Sequence, residues 1–200
     1  MDSDVLASQP EPFGVMHLVR PAQEHLPSYI SALGQGWSAD NVRGSIAAQE
    51  ELVKIETDPH AFLASLEDRE AKGEPILLPD GSMATRIPGF RRWLWDGEFS
   101  GSIGFRWQRG TTALPPHCLG HIGYAVVPWK QGKGYAKQAL QMLLPEAAAQ
   151  GLPYIEIPTD PENIASQRVI LANGGRLIAT VDNPLVSETP LLLFRIILPP

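Results

Sequence analysis

One cysteine, Cys118, stands in a chain of 200 residues. No internal disulfide is possible, so folding has to rest on an apolar core. Positive charge is also scarce: 16 Lys and Arg against 22 Asp and Glu leave a formal net charge of -6. The clustered cations that nucleic-acid phosphates require are missing, and no nucleic-acid partner is expected. Modest acidity of this size serves solubility and suits cationic substrates. The chain has no run of about 18 apolar residues and no amino-terminal basic-then-apolar segment, so neither a membrane span nor a secretory signal is expected. His, Cys and acidic residues show none of the spacings of a zinc site, so no metal is expected. No repeat or low-complexity segment is visible. A soluble, cytoplasmic, monomeric or homodimeric protein fits these absences.

What is present is a globular composition, 44% hydrophobic, in a length that suits one domain with a substantial core. Residues 1–14 hold two prolines and little periodicity and are expected to be a flexible tail, with a single domain over 15–200. A first strand is expected at Val15–Val19. Pro21 suits the first turn of a helix running toward Leu33, and further helices follow from Ser45 to about Ile55 and from Pro59 to Glu70. The prolines and glycines of Gly73–Gly89 predict a long irregular loop near a site. Arg92–Trp95 and Ser102–Gln108, around Asp96-Gly97, predict a β-hairpin, and Gly120–Val127 the next strand.

After that strand comes Pro128-Trp-Lys-Gln131-Gly-Lys-Gly-Tyr-Ala136, a proline break, a turn with two glycines and a helix start. Gly132 and Gly134 allow positive φ, so successive N–H groups converge at the positive end of the helix. An anion is the expected guest. A Walker loop needs Lys-Ser/Thr after its last glycine, where Tyr135 and Ala136 stand, and a dinucleotide fingerprint from Gly132 needs glycine at Lys137. Ala136, Ala139, Leu140, Leu143, Leu144 and Ala147 then recur at helical spacing, and Pro145 is expected to kink or end that helix. Tyr154–Ile157 reads as a strand parallel to the previous one, reached by a right-handed crossover. A helix from Asn163 to Ala172, ended by Asn173-Gly-Gly175, precedes an antiparallel pair at Arg176–Val181 and Leu191–Leu198.

Gln131-Gly-Lys-Gly-Tyr-Ala136 resembles the (Q/R)-x-x-G-x-(G/A) signature of the GNAT acyltransferases, and Asn163-Ile-Ala-Ser166 is similar to their N-x-A-S helix. The order of elements from Val15 to Leu198 follows the same plan. Gly120-His-Ile-Gly-Tyr124, Thr159–Ser166 and Gly36-Trp-Ser-Ala-Asp40 look like a bacterial subgroup of predicted acetyltransferases. The resemblance implies a single-domain α/β fold, a mixed central sheet flanked by helices, and acetyl-CoA as co-substrate. It implies that a backbone N–H near Tyr124 bonds the thioester carbonyl and that Val126 and Val127 carry the pantetheine arm. Gln131, Gly132, Lys133, Gly134, Tyr135 and Ala136 would hold the pyrophosphate, with Asn163 and Ser166 on the pantetheine. Many relatives carry a proton-donating tyrosine seven residues after the helix asparagine; here that position is Ile170, so a general acid does not carry over.

Acetyl transfer to a lysine-like amine of pKa about 10.4 costs about 4.6 kcal/mol to neutralise the amine at pH 7, against roughly 2 kcal/mol to release a thiolate of pKa about 8.5. Base assistance is therefore the larger need, and the loss of the tyrosine is survivable. His121 is the candidate base, the alternative being a histidine bonded within the sheet. Asp160 is a candidate for orienting the amine or for capping a helix, and Arg106 for binding an acidic group of the acceptor or for lying exposed on its strand. The expected activity is acetyl transfer to a primary amine of a small molecule. A non-catalytic acyl-CoA sensor, favoured by Ile170, and a transferase for protein amines are the alternatives.

Overall fold

The computed structural model describes residues 15–40, 42–78, 81–184 and 187–199. The tail expected over 1–14 lies outside the described residues. The chain begins with β1 (His17–Val19), then α1 (Leu26–Gly34), α2 (Ser45–Thr57) and α3 (Pro59–Ser65). Short strands β2 (Glu67–Asp68), β3 (Ile76–Leu77) and β4 (Met83–Ala84) precede the hairpin β5 (Gly89–Trp95) and β6 (Phe99–Arg106), followed by β7 (Ile122–Val126). The second half runs α4 (Tyr135–Ala148), β8 (Tyr154–Thr159), α5 (Ile164–Ala172), β9 (Arg176–Val181) and β10 (Leu191–Ile197).

The strands form two main sheets, β1-β5-β6-β7 with β2 also on β5, and β8-β10-β9, and their pairs are antiparallel. Between them the expected parallel pairing of Tyr154–Ile157 with the preceding strand does not form as a ladder. β8 instead pairs along its length with β10, from Leu192↔Thr159 to Ile197↔Tyr154. Its other edge meets the chain before β7 at one place: His121 N–H donates to Glu156 O at 2.8 Å, and Glu156 N–H donates to His121 Nδ1 at 3.0 Å. Residues two apart on a strand present their backbone groups to the same edge, so the next donor toward β7 would be that of residue 158. That residue is Pro158, which has no N–H. The ladder stops there, and the two sheets part beyond it.

Alternation along β5 and β6 supplies one core on each face. Leu94, Ile103 and Phe105 pack with Leu140 and Leu143 of α4, Ile155 and Ile157 of β8 and Ile170 of α5. Trp93 and Phe99 face the opposite way, onto Tyr29, Leu33 and Phe62 of the helical cover. Burial of each large apolar side chain contributes about 1.5–3 kcal/mol.

Local expectations fail in four places. Helix α1 starts at Leu26, after a 3-10 turn at Gln23–His25, and Pro27 rather than Pro21 occupies its first turn. The third helix stops at Ser65 because Glu67 and Asp68 join β5 opposite Phe90 and Gly89. The Gly73–Gly89 segment is not wholly irregular, since β3 and β4 pair within it. Pro145 does not end α4, which continues to Ala148. An internal proline costs about 3 kcal/mol, but Ala139, Leu140, Leu143 and Ala147 are all fully buried, and their combined burial outweighs it.

At the closed end of the split, a Cβ on Gly120 would lie 2.2 Å from Pro158 Cδ and 3.1 Å from Glu156 O. Gly120→Ala is expected to destabilise the protein by about 1–3 kcal/mol through overpacking, read as a lower denaturation midpoint. An unchanged midpoint would mean that the two sheets are not tightly joined there.

Candidate active site

The Pro128–Lys130 stretch forms a 3-10 turn that delivers the chain from β7 to the glycine turn. Gly132 and Gly134 both have φ 78, the left-handed conformation expected of them. Gly134 is the N-cap of α4 and has no side chain to bond the first-turn N–H groups. Those donors, unpaired by helix geometry, stand at the positive end of the helix dipole. Gln131 Nε2 donates to Val126 O at 3.4 Å and draws the turn toward the end of β7. Lys133 is half-buried, and Tyr135 and Ala136 open the helix, with Tyr135 buried. The arrangement is a cradle of backbone donors of the kind an anion suits, beside the mouth of the split between β7 and β8.

Across that split, Tyr124 and Ser166 meet. The Tyr124 hydroxyl lies 2.9 Å from Ser166 Oγ and donates to Ser166 O at 3.3 Å. Burial pushes the phenol pKa up to about 12, against the hydrogen bond from Ser166, so this group stays protonated at neutral pH. Asn163 Oδ1 accepts the Ser166 N–H at 2.9 Å and caps α5. Val126 is half-buried at the end of β7, and Val127 is buried among the helical cover. Ile170 has no exposed surface, and a Cβ on Gly175 would come within 2.3 Å of its Cγ2, so it is a core residue.

The remaining candidates lie apart from the cradle. His121 is 1% exposed, and its Nδ1 already accepts the Glu156 N–H. Of the two roles left open for it, the structure shows the in-sheet bond, and the ring presents no open face to an acceptor. The chain bends at this residue, so that its carbonyl accepts from Arg106 of β6 at 2.9 Å while its N–H and its ring meet the β8 backbone. The Glu156 carboxylate is itself held by Arg195, at 3.1 and 2.5 Å. Asp160 is exposed, with Oδ1 accepting the Glu162 N–H at 2.7 Å in the turn before α5. Arg106 Nε donates to Gly120 O at 2.6 Å, tying the end of β6 to the chain before β7. An open depression of about 680 Å³, lined by Glu70, Arg86, Pro88 and Arg109, lies at the far end of β6 from the cradle. Among the described residues no group of three or more His, Cys, Asp or Glu is arranged to hold a metal, and no helix is long and apolar enough to cross a membrane.

Sequence reasoning did not single out Asp96 or Lys130. Lys130 is buried and bonds both Asp96 oxygens at 3.0 Å, and the Tyr135 hydroxyl donates to Asp96 Oδ2 at 2.7 Å. The signal was faint: an Asp-Gly hairpin turn ordinarily accounts for its aspartate without further partners.

Residues 39–176 match the family model described as an acetyltransferase (GNAT) domain. The chain belongs to the GNAT acetyltransferase family. The match contains both the glycine turn and the Asn163 helix, so the two motifs fall within the family's own boundaries. Solved structures agree on the fold. RimL, a ribosomal L7/L12 α-N-protein acetyltransferase in complex with coenzyme A, superposes with a TM-score of 0.58 at 16% identity, covering 92% of this chain and 94% of that one. Mycobacterium smegmatis RimJ in complex with CoA-disulfide gives 0.57 at 20% identity, covering 92% and 82%. The microcin C7 self-immunity acetyltransferase MccE, in complex with acetyl-CoA and AMP, gives 0.55 at 13%, covering 94% and 98%. No curated protein matches this GNAT chain by sequence.

Burial disfavours the charged form of His121 and, against the pull of Glu156, holds its pKa below the ordinary 6.5. The unfolded chain therefore takes up the proton first as pH falls. The ring's contribution to stability is complete above about pH 6.5 and is lost as pH drops through the folded value. His121→Gln, which does not titrate, is expected to flatten the fall in stability between about pH 7 and pH 5. Identical slopes in both proteins would show that the ring is free to ionise in the fold.

Proposed function

We propose that this GNAT domain transfers an acetyl group from acetyl-CoA to the primary amine of a small molecule. The observation that carries the reading is the left-handed glycine turn at the uncapped start of α4, set beside a split between sheets that leaves one edge of β7 unpaired. Pyrophosphate suits the N–H groups of Gln131–Ala136, and a pantetheine arm, with its own amides, suits the unpaired edge of β7 at Val126, whereas Val127 gives its N–H to Ser100 O and its carbonyl accepts from Lys130. Ser166 lines the same passage. Asn163 contributes through its cap, which fixes the start of α5.

The chemistry is direct attack. The amine nitrogen bonds the thioester carbon, the carbon–sulfur bond breaks, the nitrogen gives up a proton to water, and the thiolate takes one up. A backbone N–H near Tyr124 polarises the carbonyl. With His121 enclosed, water is the proton acceptor this reading favours, and the amine is selected in its neutral form. Asp160, exposed before α5, is the carboxylate left to orient it, and Arg106 is assigned to the fold rather than to the acceptor. A second reading is a coenzyme-binding module without turnover, favoured by the burial of Ile170. A protein amine as acceptor is favoured by the likeness to RimL.

A thiol-release assay over amines, amino acids and amino-terminal peptides is expected to find a small amine as the best acceptor. Coenzyme binding without thiol release from any acceptor would favour the module, and peptides alone would favour a protein substrate. A Cβ on Gly134 would meet only Gln138 Nε2, at 3.8 Å, so the cost of Gly134→Val comes chiefly from a branched residue at positive φ. It is expected to weaken acetyl-CoA binding by about tenfold or more. Unchanged affinity in calorimetry would put the phosphates elsewhere.

A further inference from the structure

The tip of the β5–β6 hairpin is built against the glycine turn. Asp96, in the hairpin turn, has a side chain only 1% exposed, and both its oxygens are occupied. Oδ1 accepts from Ser100 Oγ and Lys130 Nζ, each at 3.0 Å; Oδ2 accepts from Lys130 Nζ at 3.0 Å and from the Tyr135 hydroxyl at 2.7 Å. Lys130 is the residue immediately before Gln131, and Tyr135 the residue immediately after Gly134. One carboxylate thus grips both flanks of a four-residue turn.

Its surroundings are rigid. Val127 N–H donates to Ser100 O at 3.1 Å, and Gly101 lies so close to β7 that a Cβ would fall 2.4 Å from Ala125 O. Lys130 is further neutralised by Glu98 at 2.6 Å, so its charge is spent inside the clamp and is not the cation for a bound phosphate. Burial works against the Asp96 charge, but hydrogen bonds from Tyr135, Lys130 and Ser100 outweigh it and hold the carboxyl below its usual range. It is ionised at neutral pH and grips both flanks together.

We infer that Asp96 is the positioning residue of the coenzyme loop, holding Gln131–Gly134 in its anion-binding form before the ligand arrives. Resting on the acetyl-CoA reading, the inference adds what orders the cradle. A turn containing two glycines loses more backbone freedom on ordering than other turns. A turn clamped at both ends has lost that freedom during folding, so binding does not bear it again. The carboxylate touches no ligand and acts through Lys130 and Tyr135.

The test uses coenzyme A calorimetry and amide hydrogen exchange on the full chain and on Asp96→Asn, Tyr135→Phe and the double variant. Asparagine keeps the shape but loses the charge, and whichever way its amide turns, its NH2 group faces the Lys130 ammonium, which is also a donor. Asp96→Asn is expected to weaken coenzyme A by about tenfold, and the double variant by no more than about twofold further, because both changes release one clamp. Exchange is expected to quicken over 130–136 and not along β5, β6 or the body of α4. Affinity within about twofold of wild type, or quickening spread over the whole sheet, would overturn the role. If Asp96→Asn fails to fold, Tyr135→Phe, which leaves the ion pair intact, carries the same comparison: about threefold weaker binding with local quickening supports the clamp, and unchanged affinity overturns it. No heat with wild-type protein would remove the coenzyme site itself, and is distinct because it precedes any substitution.

Discussion

The break between β7 and β8 is the constraint on which the rest of the molecule depends. At its closed end two hydrogen bonds join His121 and Glu156, and beyond them Pro158 offers no donor. A continuous sheet at this point would pair the edge of β7 with protein and leave nothing for an extended ligand. Because the sheets part, β7 keeps backbone groups available beside a helix N-terminus. β8 pairs its opposite edge with β10, and on the split side Pro158 has no N–H to leave unpaired.

The two cores keep the break from collapsing. Leu140, Leu143 and Ile170 pack beneath both sheets at once, so α4 and α5 bridge the gap from one face, while the aromatic cluster of Tyr29, Trp93 and Phe99 fixes the hairpin from the other. The hairpin tip carries Asp96 to the glycine turn. A buried ion pair contributes little net stability once desolvation is counted, and its better-attested use is to specify geometry. That suits a site under a loop whose glycines would otherwise sample many conformations.

His121 shows how a side chain suited to catalysis by chemistry is assigned by packing. Histidine is the group matched to proton transfer near neutral pH, but here its Nδ1 is occupied by a backbone donor and its ring is enclosed. Tyr124 presents the converse: named for its main chain, it brings a protonated hydroxyl across the split to Ser166. Arg106 likewise gives its Nε–H to Gly120 O, within the frame.

The sequence by itself determined the order of the main elements, the family and the left-handed glycine turn. Those rest on local chemistry: glycine's access to positive φ at 132 and 134, the helical spacing of Ala139, Leu140 and Leu143, and the cap at Asn163. Local rules misjudged Pro145 because the burial along α4 exceeds what one missing hydrogen bond removes. Only the tertiary structure decided which edge of β8 would be paired, although Pro158 was in plain view, because a proline marks an edge only once the neighbouring strands are known. It also decided the partners of Asp96, 34 residues from Lys130 and 39 from Tyr135. Contacts across such separations leave no periodic trace in a single chain, since they depend on how the hairpin, β7 and α4 pack and not on any spacing between the residues themselves.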